Sequence, residues 1–313
     1  MKYKKAAELF LNQATAYCSE PTIEYYKLNL GFFDKFLEEH HTNIKLCDLE
    51  LNRLTKEDFI GYINKCREKG IKNSSVRTYA RAIKVFFRWC HNEGYIKTNI
   101  TYNVKFPKAD NKQVIPLSNT RVNTLYDAIS SKNCAERNTA IFSLMLDCGL
   151  RLGEIVALNI DDIDFKNDFV QIVNTKNNKS RIVPLPTKVR QRIKTYLKER
   201  KSKHRALFLD HRNCGRITEQ AIKTFINRLK PYDNEIHCHL LRHTFATSFI
   251  MGGGQLEILR VLLGHEEYTV TKGYIHLASQ LGVINYDIYR LDGIMFSKYI
   301  AYTPTNFTTL QQR

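Results

Sequence analysis

The chain runs to 313 residues, 43% of them apolar and 25% charged, a globular composition with length enough for two domains. No apolar run approaches about 18 residues, and Met1-Lys2-Tyr3-Lys4-Lys5 leads into no signal-like apolar stretch, which argues against a membrane span and against secretion. The 48 Lys and Arg against 31 Asp and Glu leave a net charge of +17, which suits a polyanionic partner, chiefly nucleic acid, although a soluble basic protein carries such a charge too.

Residues 3–18, 22–40, 55–69 and 74–93 repeat apolar side chains at spacings of three and four, the helical pattern. Ser19-Glu20-Pro21 separates the first two segments and Lys69-Gly70 closes the third. Asn73-Ser74-Ser75 supplies capping side chains for the fourth. In that fourth segment Val76, Tyr79, Ala80, Ile83, Phe86, Phe87 and Cys90 share one side. Arg77, Arg81, Lys84 and Arg88 share another, within roughly a 60° stripe at about 100° per residue. Four cations in a row beside a packing face fit the phosphates of a duplex groove. A solvated face is the ordinary alternative, but such faces mix signs and this stripe has no acid.

Between about Thr98 and Ser118 the pattern breaks at Asn99, Pro107, Asp110, Asn111 and Pro116, which predicts an extended linker. A new helix begins at Ser118-Asn119-Thr120. Residues 120–132, 136–148 and 152–158 are helical in pattern. Residues 169–173 and 181–185 are β-branched or alternating with Asn177-Asn178 near the turn, which predicts a β-hairpin. Helices follow at about 187–201, 218–230, 239–250, 255–263 and 267–275, and residues 277–313 carry a weaker pattern. The eight cysteines (18, 47, 66, 90, 134, 148, 214 and 238) form no C-x-x-C pair and read as reduced thiols of a cytoplasmic protein.

Breaking a phosphodiester without a metal requires a nucleophile, cations on the non-bridging oxygens, and an acid for the leaving oxygen. Four segments of the second half hold candidates for all three. They are Leu146-Asp-Cys-Gly-Leu-Arg151-Leu-Gly-Glu154, then Thr175-Lys176-Asn-Asn-Lys179-Ser-Arg181-Ile-Val-Pro-Leu185, then Cys238-His239-Leu-Leu-Arg242-His243-Thr-Phe-Ala-Thr247. Leu263-Gly264-His265 comes last, with Tyr274 nine residues after His265 in the frame Thr271-Lys-Gly-Tyr274-Ile-His276. Together, and in this order, these boxes resemble those of the tyrosine recombinase and integrase family, in an Xer-like form. The first half resembles the family's helical core-binding domain, with Glu93-Gly94-Tyr-Ile as its ending. The resemblance covers about residues 4–276 and leaves no room for an N-terminal arm-binding domain.

What the resemblance implies is a mainly α-helical chain. A SAM-like core-binding domain occupies residues 1–105, a linker 106–117, and an α+β catalytic domain with a small hairpin 118–279. Residues 280–313 would form a tail that docks on a neighbouring protomer. The two domains would close as a C-shaped clamp on double-stranded DNA with inverted half-sites, and a tetramer, of this chain alone or shared with a paralogous recombinase, would synapse two sites on nucleoid DNA.

Arg151 and Arg242 would grip the scissile phosphate, because a guanidinium fork matches two oxygens and keeps its proton. His239 and His265 would bond that phosphate or shuttle a proton. Lys176 would protonate the leaving 5′ oxygen, with Lys179 its competitor, and Lys179 and Arg181 would otherwise bind backbone phosphate. Tyr274 would attack phosphorus, leaving a 3′-phosphotyrosine that conserves bond energy through a Holliday junction, with no metal, ATP or other cofactor. Glu154 would pair with a cation and orient it, and His276 would stand behind the reacting groups. Cys148, where the family often has Thr, and Cys238, where Pro is common, depart from the pattern without replacing a catalytic position. His239 and His243 stand four apart, but Leu240 occupies the Glu position of a zinc-binding H-E-x-x-H. Two other readings share the chemistry or the fold: a type IB topoisomerase and a catalytically silent DNA-binding regulator.

Overall fold

The computed structural model describes residues 1–108, 114–173, 180–212 and 214–264, together with Thr271 and Tyr274. Lys176, Lys179, His265, His276, the Asn177-Asn178 turn and the tail lie outside the described residues. The chain divides into two compact units, Met1–Lys112 and Gln113–Arg313.

The first unit is built from α1 (Tyr3–Ala14), α2 (Glu20–His40), α3 (Lys56–Glu68) and α4 (Asn73–Asn92). Its core is aromatic. Tyr3, Phe10, Phe33, Phe59, Phe86 and Phe87 are fully buried, with edge-to-face pairs such as Phe10–Phe86 at 5.6 Å and Phe33–Tyr62 at 5.1 Å. Each buried phenyl ring stabilises the unit by about 1.5–3 kcal/mol relative to an exposed one. Helix α1 stops four residues short of the expected end, because Thr15, Ala16 and Tyr17 are exposed and have no apolar face to bury. Pro21 lies inside the first turn of α2, where a missing N–H breaks no helical bond. At α3 the Asp58 carboxylate accepts from the Thr55 backbone N–H at 2.7 Å and closes a capping box.

The apolar side of α4 packs as its periodicity predicts, with Tyr79 half-buried against Phe32. Its basic stripe divides in two. Arg81 and Arg88 are exposed, whereas Arg77 donates to the Pro107 carbonyl at 3.3 Å and Lys84 sits 5.3 Å above the Phe106 ring. Ile100, Val104 and Phe106 pack on this core, so the chain after α4 adheres to the first unit through a stretch that the sequence presented as linker. Apolar side chains spaced too irregularly for a helix still have surface to bury.

The second unit contains α5 (Asn119–Ser130), α6 (Ala135–Asp147), α7 (Leu152–Ala157), β1 (Ile163–Asp164), β2 (Phe169–Val173), β3 (Ser180–Pro184), α8 (Thr187–Glu199), α9 (Glu219–Asn227), α10 (Cys238–Met251) and α11 (Leu256–Leu263). Ser118 caps α5 by accepting from the Arg121 N–H. Helix α6 is the centre: Ala140 through Leu146 are buried on every side, against α8 and α10. The strands form an antiparallel sheet in the order β1-β2-β3, with Val170 opposite Val183 and Ile172 opposite Arg181. Val170, Ile172 and Val183 face the core. Strand β1 is only two residues long, too short to leave an alternation in the sequence.

Candidate active site

Two left-handed glycines end the helices that lead into the first and the last of the four boxes. Helix α6 ends at Asp147, and Gly149 with φ +65° turns the chain so that Arg151 heads α7. A Cβ on Gly149 would stand 2.4 Å from Cδ1 of Phe245, so the turn is pressed against α10. Helix α11 ends the same way at Gly264, φ +61°. Both glycines stand directly after a helical pattern, which is the sequence signature of a C-terminal stop.

Both backbone turns hold arginines. Arg242, on α10 and 5% exposed, donates from Nη1 to the Gly149 carbonyl at 2.5 Å and from Nη2 to the Leu263 carbonyl at 2.7 Å. Arg151 donates from Nη2 to the Gly264 carbonyl at 3.2 Å and from Nη1 to Glu154 Oε1 at 3.0 Å. Its backbone N–H meets Glu154 Oε2 at 2.7 Å. The Arg151 side chain remains 37% exposed, so its guanidinium is partly open to solvent. Burial, and then the charge of Arg151, lower Arg242 to about 9, which still leaves it protonated at neutral pH.

Arg151, His239 and Arg242 line one cleft of about 280 Å3, together with Leu150, Lys223 and His237. Desolvation, then the charges of Arg242, His237 and Arg151, hold the His239 imidazole below its ordinary pKa, so it is neutral at pH 7. Tyr274 is 7% exposed and its ring lies 5.4 Å from that of His243. Burial raises its phenol pKa, while the charges of Arg242 and Arg151 act in the opposite direction. The charges of both arginines thus bear on the same phenol, although Arg151 stands 123 and Arg242 32 residues before it in the chain. Among the described residues no three His, Cys, Asp or Glu side chains form a group able to hold a metal ion. Nor is any helix among them long and apolar enough to cross a membrane.

Comparison with known proteins identifies the family. The model of the phage integrase family matches residues 116–280, and that of the phage integrase N-terminal SAM-like domain matches residues 9–94. The chain belongs to the phage integrase family. Among relatives, this integrase is 32% identical to tyrosine recombinase XerC of Chromobacterium violaceum, over 69% of this chain and 74% of that one. It is 30% identical to the XerC of Shewanella amazonensis, over 84% and 87%. Among solved structures it resembles a lambda integrase dimer bound to a COC′ core site, with a TM-score of 0.71, 16% identity, and 88% and 77% of the two chains covered. It also resembles the Tn1549 transposon integrase in complex with a circular intermediate DNA, with a TM-score of 0.69, 20% identity, and 86% and 94% covered. These two likenesses establish the fold.

One expected DNA contact of this integrase faces inward. Arg181, on β3, is 10% exposed; it forks onto Glu154, with Nη1 to Oε1 and Nη2 to Oε2 both at 2.8 Å, while Nε donates to the Leu262 carbonyl at 2.7 Å. Each of its three nitrogens has an acceptor inside the protein. Glu154 pairs with a cation as expected, but with two of them. Burial alone would raise the Glu154 carboxyl; the bonds and charge of Arg181, the Arg151 N–H and the charge of Arg242 outweigh it and hold the group at about 2.

Sequence reading weighed His243 only as a metal ligand and gave no part to Gly149 or Gly264. The two departures from the family pattern are accommodated: Cys148 is buried with Sγ 3.8 Å from the Pro184 carbonyl, and Cys238 lines the cleft.

Proposed function

We propose that this integrase is a site-specific tyrosine recombinase that breaks and rejoins DNA through Tyr274. The observation that carries the reading is the cleft that Arg151, His239 and Arg242 share, together with the charges of both arginines acting on the buried Tyr274 phenol. Arg151 and Arg242 hold the non-bridging oxygens of the scissile phosphate and stabilise the extra negative charge of the pentacoordinate state. The Tyr274 oxygen bonds to phosphorus as the bond to the 5′ oxygen breaks. Its proton passes to a neutral imidazole, for which His239 and His243 are both held in the neutral form. Lys176 gives a proton to the departing 5′ oxygen, and His265 adds a hydrogen bond to the phosphate. Rejoining is the same sequence reversed, with a 5′ hydroxyl of the partner strand as nucleophile.

The first unit grips the duplex through Arg81 and Arg88, the exposed cations of α4. Lys179 contributes a further phosphate contact. Two protomers occupy inverted half-sites on cytoplasmic DNA and four synapse two sites, with residues 280–313 docking on a neighbour. The named relatives, two of them XerC proteins, favour recombination over a topoisomerase, and the arginines acting on one tyrosine favour an enzyme over a silent regulator.

The test is a nicked duplex carrying a sequence that the chain selects from genomic fragments. Wild type is expected to accumulate a protein–DNA adduct at the 3′ side of the break, and Tyr274→Phe to bind equally and form none. An adduct that persists in Tyr274→Phe refutes the assignment of the nucleophile, and a wild type without adduct favours the regulator. Relaxation of supercoiled DNA lacking the selected site would favour the topoisomerase.

A further inference from the structure

Three consecutive carbonyls at the end of α11 accept from three different arginines: Leu262 from Arg181 at 2.7 Å, Leu263 from Arg242 at 2.7 Å and Gly264 from Arg151 at 3.2 Å. The last carbonyls of a helix have no intrahelical donor and carry the negative end of the helix dipole, so this end attracts cations. Like charges held so close repel, and an anion has to offset them. That anion is Glu154, which takes both forks of Arg181 and both the Nη1 and the backbone N–H of Arg151.

We propose that Arg181 is a positioning residue: it fastens the end of α11 to Glu154, and through that joint sets the two arginines that hold the scissile phosphate. The inference rests on the recombinase reading above. Arg181 suits the part because it is the more enclosed of the two arginines bonded to Glu154, with a side chain 10% exposed against 37% for Arg151. A planar fork spans both carboxylate oxygens while Nε reaches a third acceptor, a geometry that a lysine ammonium cannot reproduce. The left-handed Gly264 leaves the room that Arg181 fills, since a Cβ there would come within 3.1 Å of its Nη1. A displacement of the α11 end would withdraw acceptors from Arg242 and Arg151 together. Whatever moves this helix end therefore moves the phosphate grip, and Arg181 with Glu154 opposes that movement.

The experiment compares wild type, Arg181→Met and Arg181→Lys on the nicked duplex at saturating protein. Single-turnover adduct formation, DNA affinity against salt, and thermal melting are read on each. Adduct formation is expected to fall about 10- to 100-fold in both variants, the loss that misplaced reacting groups produce. Lysine is expected to give no rescue, and the salt dependence of binding to stay as in wild type.

A pH profile adds a readout that simple loosening would not move. Arg181 supplies the strongest of the interactions that hold the Glu154 carboxyl down against its burial. Without it, burial prevails, the carboxyl takes up a proton at higher pH, and adduct formation by Arg181→Met should decline on the acid side where wild type stays level.

Rescue by Arg181→Lys, or a wild-type rate in Arg181→Met, overturns the proposal. So does a salt slope reduced by about 1 with the saturated rate intact, because that pattern marks a phosphate contact. If the Arg181 variants melt below the assay temperature, Gly264→Ala perturbs the same joint from the helix side. A wild-type rate from a folded Gly264→Ala then overturns the proposal, and a rate loss at unchanged affinity supports it. A wild type that forms no adduct would instead fail the recombinase reading itself.

Discussion

Replacing Gly149 by alanine tests how the first arginine box is built. The residue sits at φ +65°, where an L side chain is strained by about 1–2 kcal/mol. Its new Cβ would stand 2.4 Å from Cδ1 and 2.8 Å from Cε1 of Phe245, a ring 2% exposed and enclosed by its neighbours, and such overpacking adds about 1–3 kcal/mol. Together these destabilise the second unit by about 2–5 kcal/mol, a fall in Tm of about 5–15 °C for a unit of this size. Gly153→Ala is the control, because its Cβ meets only the end of the Glu219 side chain, at 3.3 Å, within helix α7. An unchanged or slightly raised Tm is expected there.

Melting by circular dichroism reads the stability, and the nicked-duplex assay reads function. The Gly149 carbonyl holds Arg242 at 2.5 Å, so adduct formation should fall even below the melting range. Shrinking the opposing ring in Gly149→Ala/Phe245→Leu should recover part of the Tm, as contacting sites couple rather than add. A Gly149→Ala protein melting within about 2 °C of wild type would refute the reasoning, since the strain alone exceeds that shift.

Other consequences can be checked separately. Arg81→Gln and Arg88→Gln should each reduce the slope of log affinity against log salt by about 1 with no change in Tm. Arg77→Gln should instead lower the Tm of the first unit, because Arg77 holds the Pro107 carbonyl. Asp147 is buried beside Tyr126 and Arg192, and burial, only partly offset by Arg192 and Tyr126, raises its carboxyl from 3.8 to about 6. A raised folded-state pKa stabilises the protein below the unfolded value, and that contribution, up to about 3 kcal/mol, is lost as pH rises through 6. Urea melts from pH 4 to 8 should show this slope, and Asp147→Asn should abolish it. Adduct formation should be the same with and without EDTA, since side-chain cations carry the phosphate charge; a loss in EDTA restored by a divalent ion would count against the mechanism.

Much of this integrase was legible in its sequence because the information is local. Helical periodicity placed α2 through α11 to within a few residues, and spacing within each box put Arg242 three residues after His239 on the turn of one helix. Side-chain chemistry offered candidates for the cations, the acid and the phenol, and of these Lys176 lies outside the described residues. Gly149 and Gly264 each follow a helical run, a stop signature present in the sequence but given no part in its reading, and their close contact with Phe245 and Arg181 is decided by packing. Which arginine faces a substrate and which faces the interior was not legible. Arg181 meets Leu262 across 81 positions, and Arg151 meets Gly264 across 113. Arg77 and Lys84 read like Arg81 and Arg88 until the chain after α4 folds back over them. Periodicity reports which side of an element is apolar; only tertiary packing decides what lies opposite each charge, and burial and partner together determine whether that charge is spent inside the fold or remains for DNA.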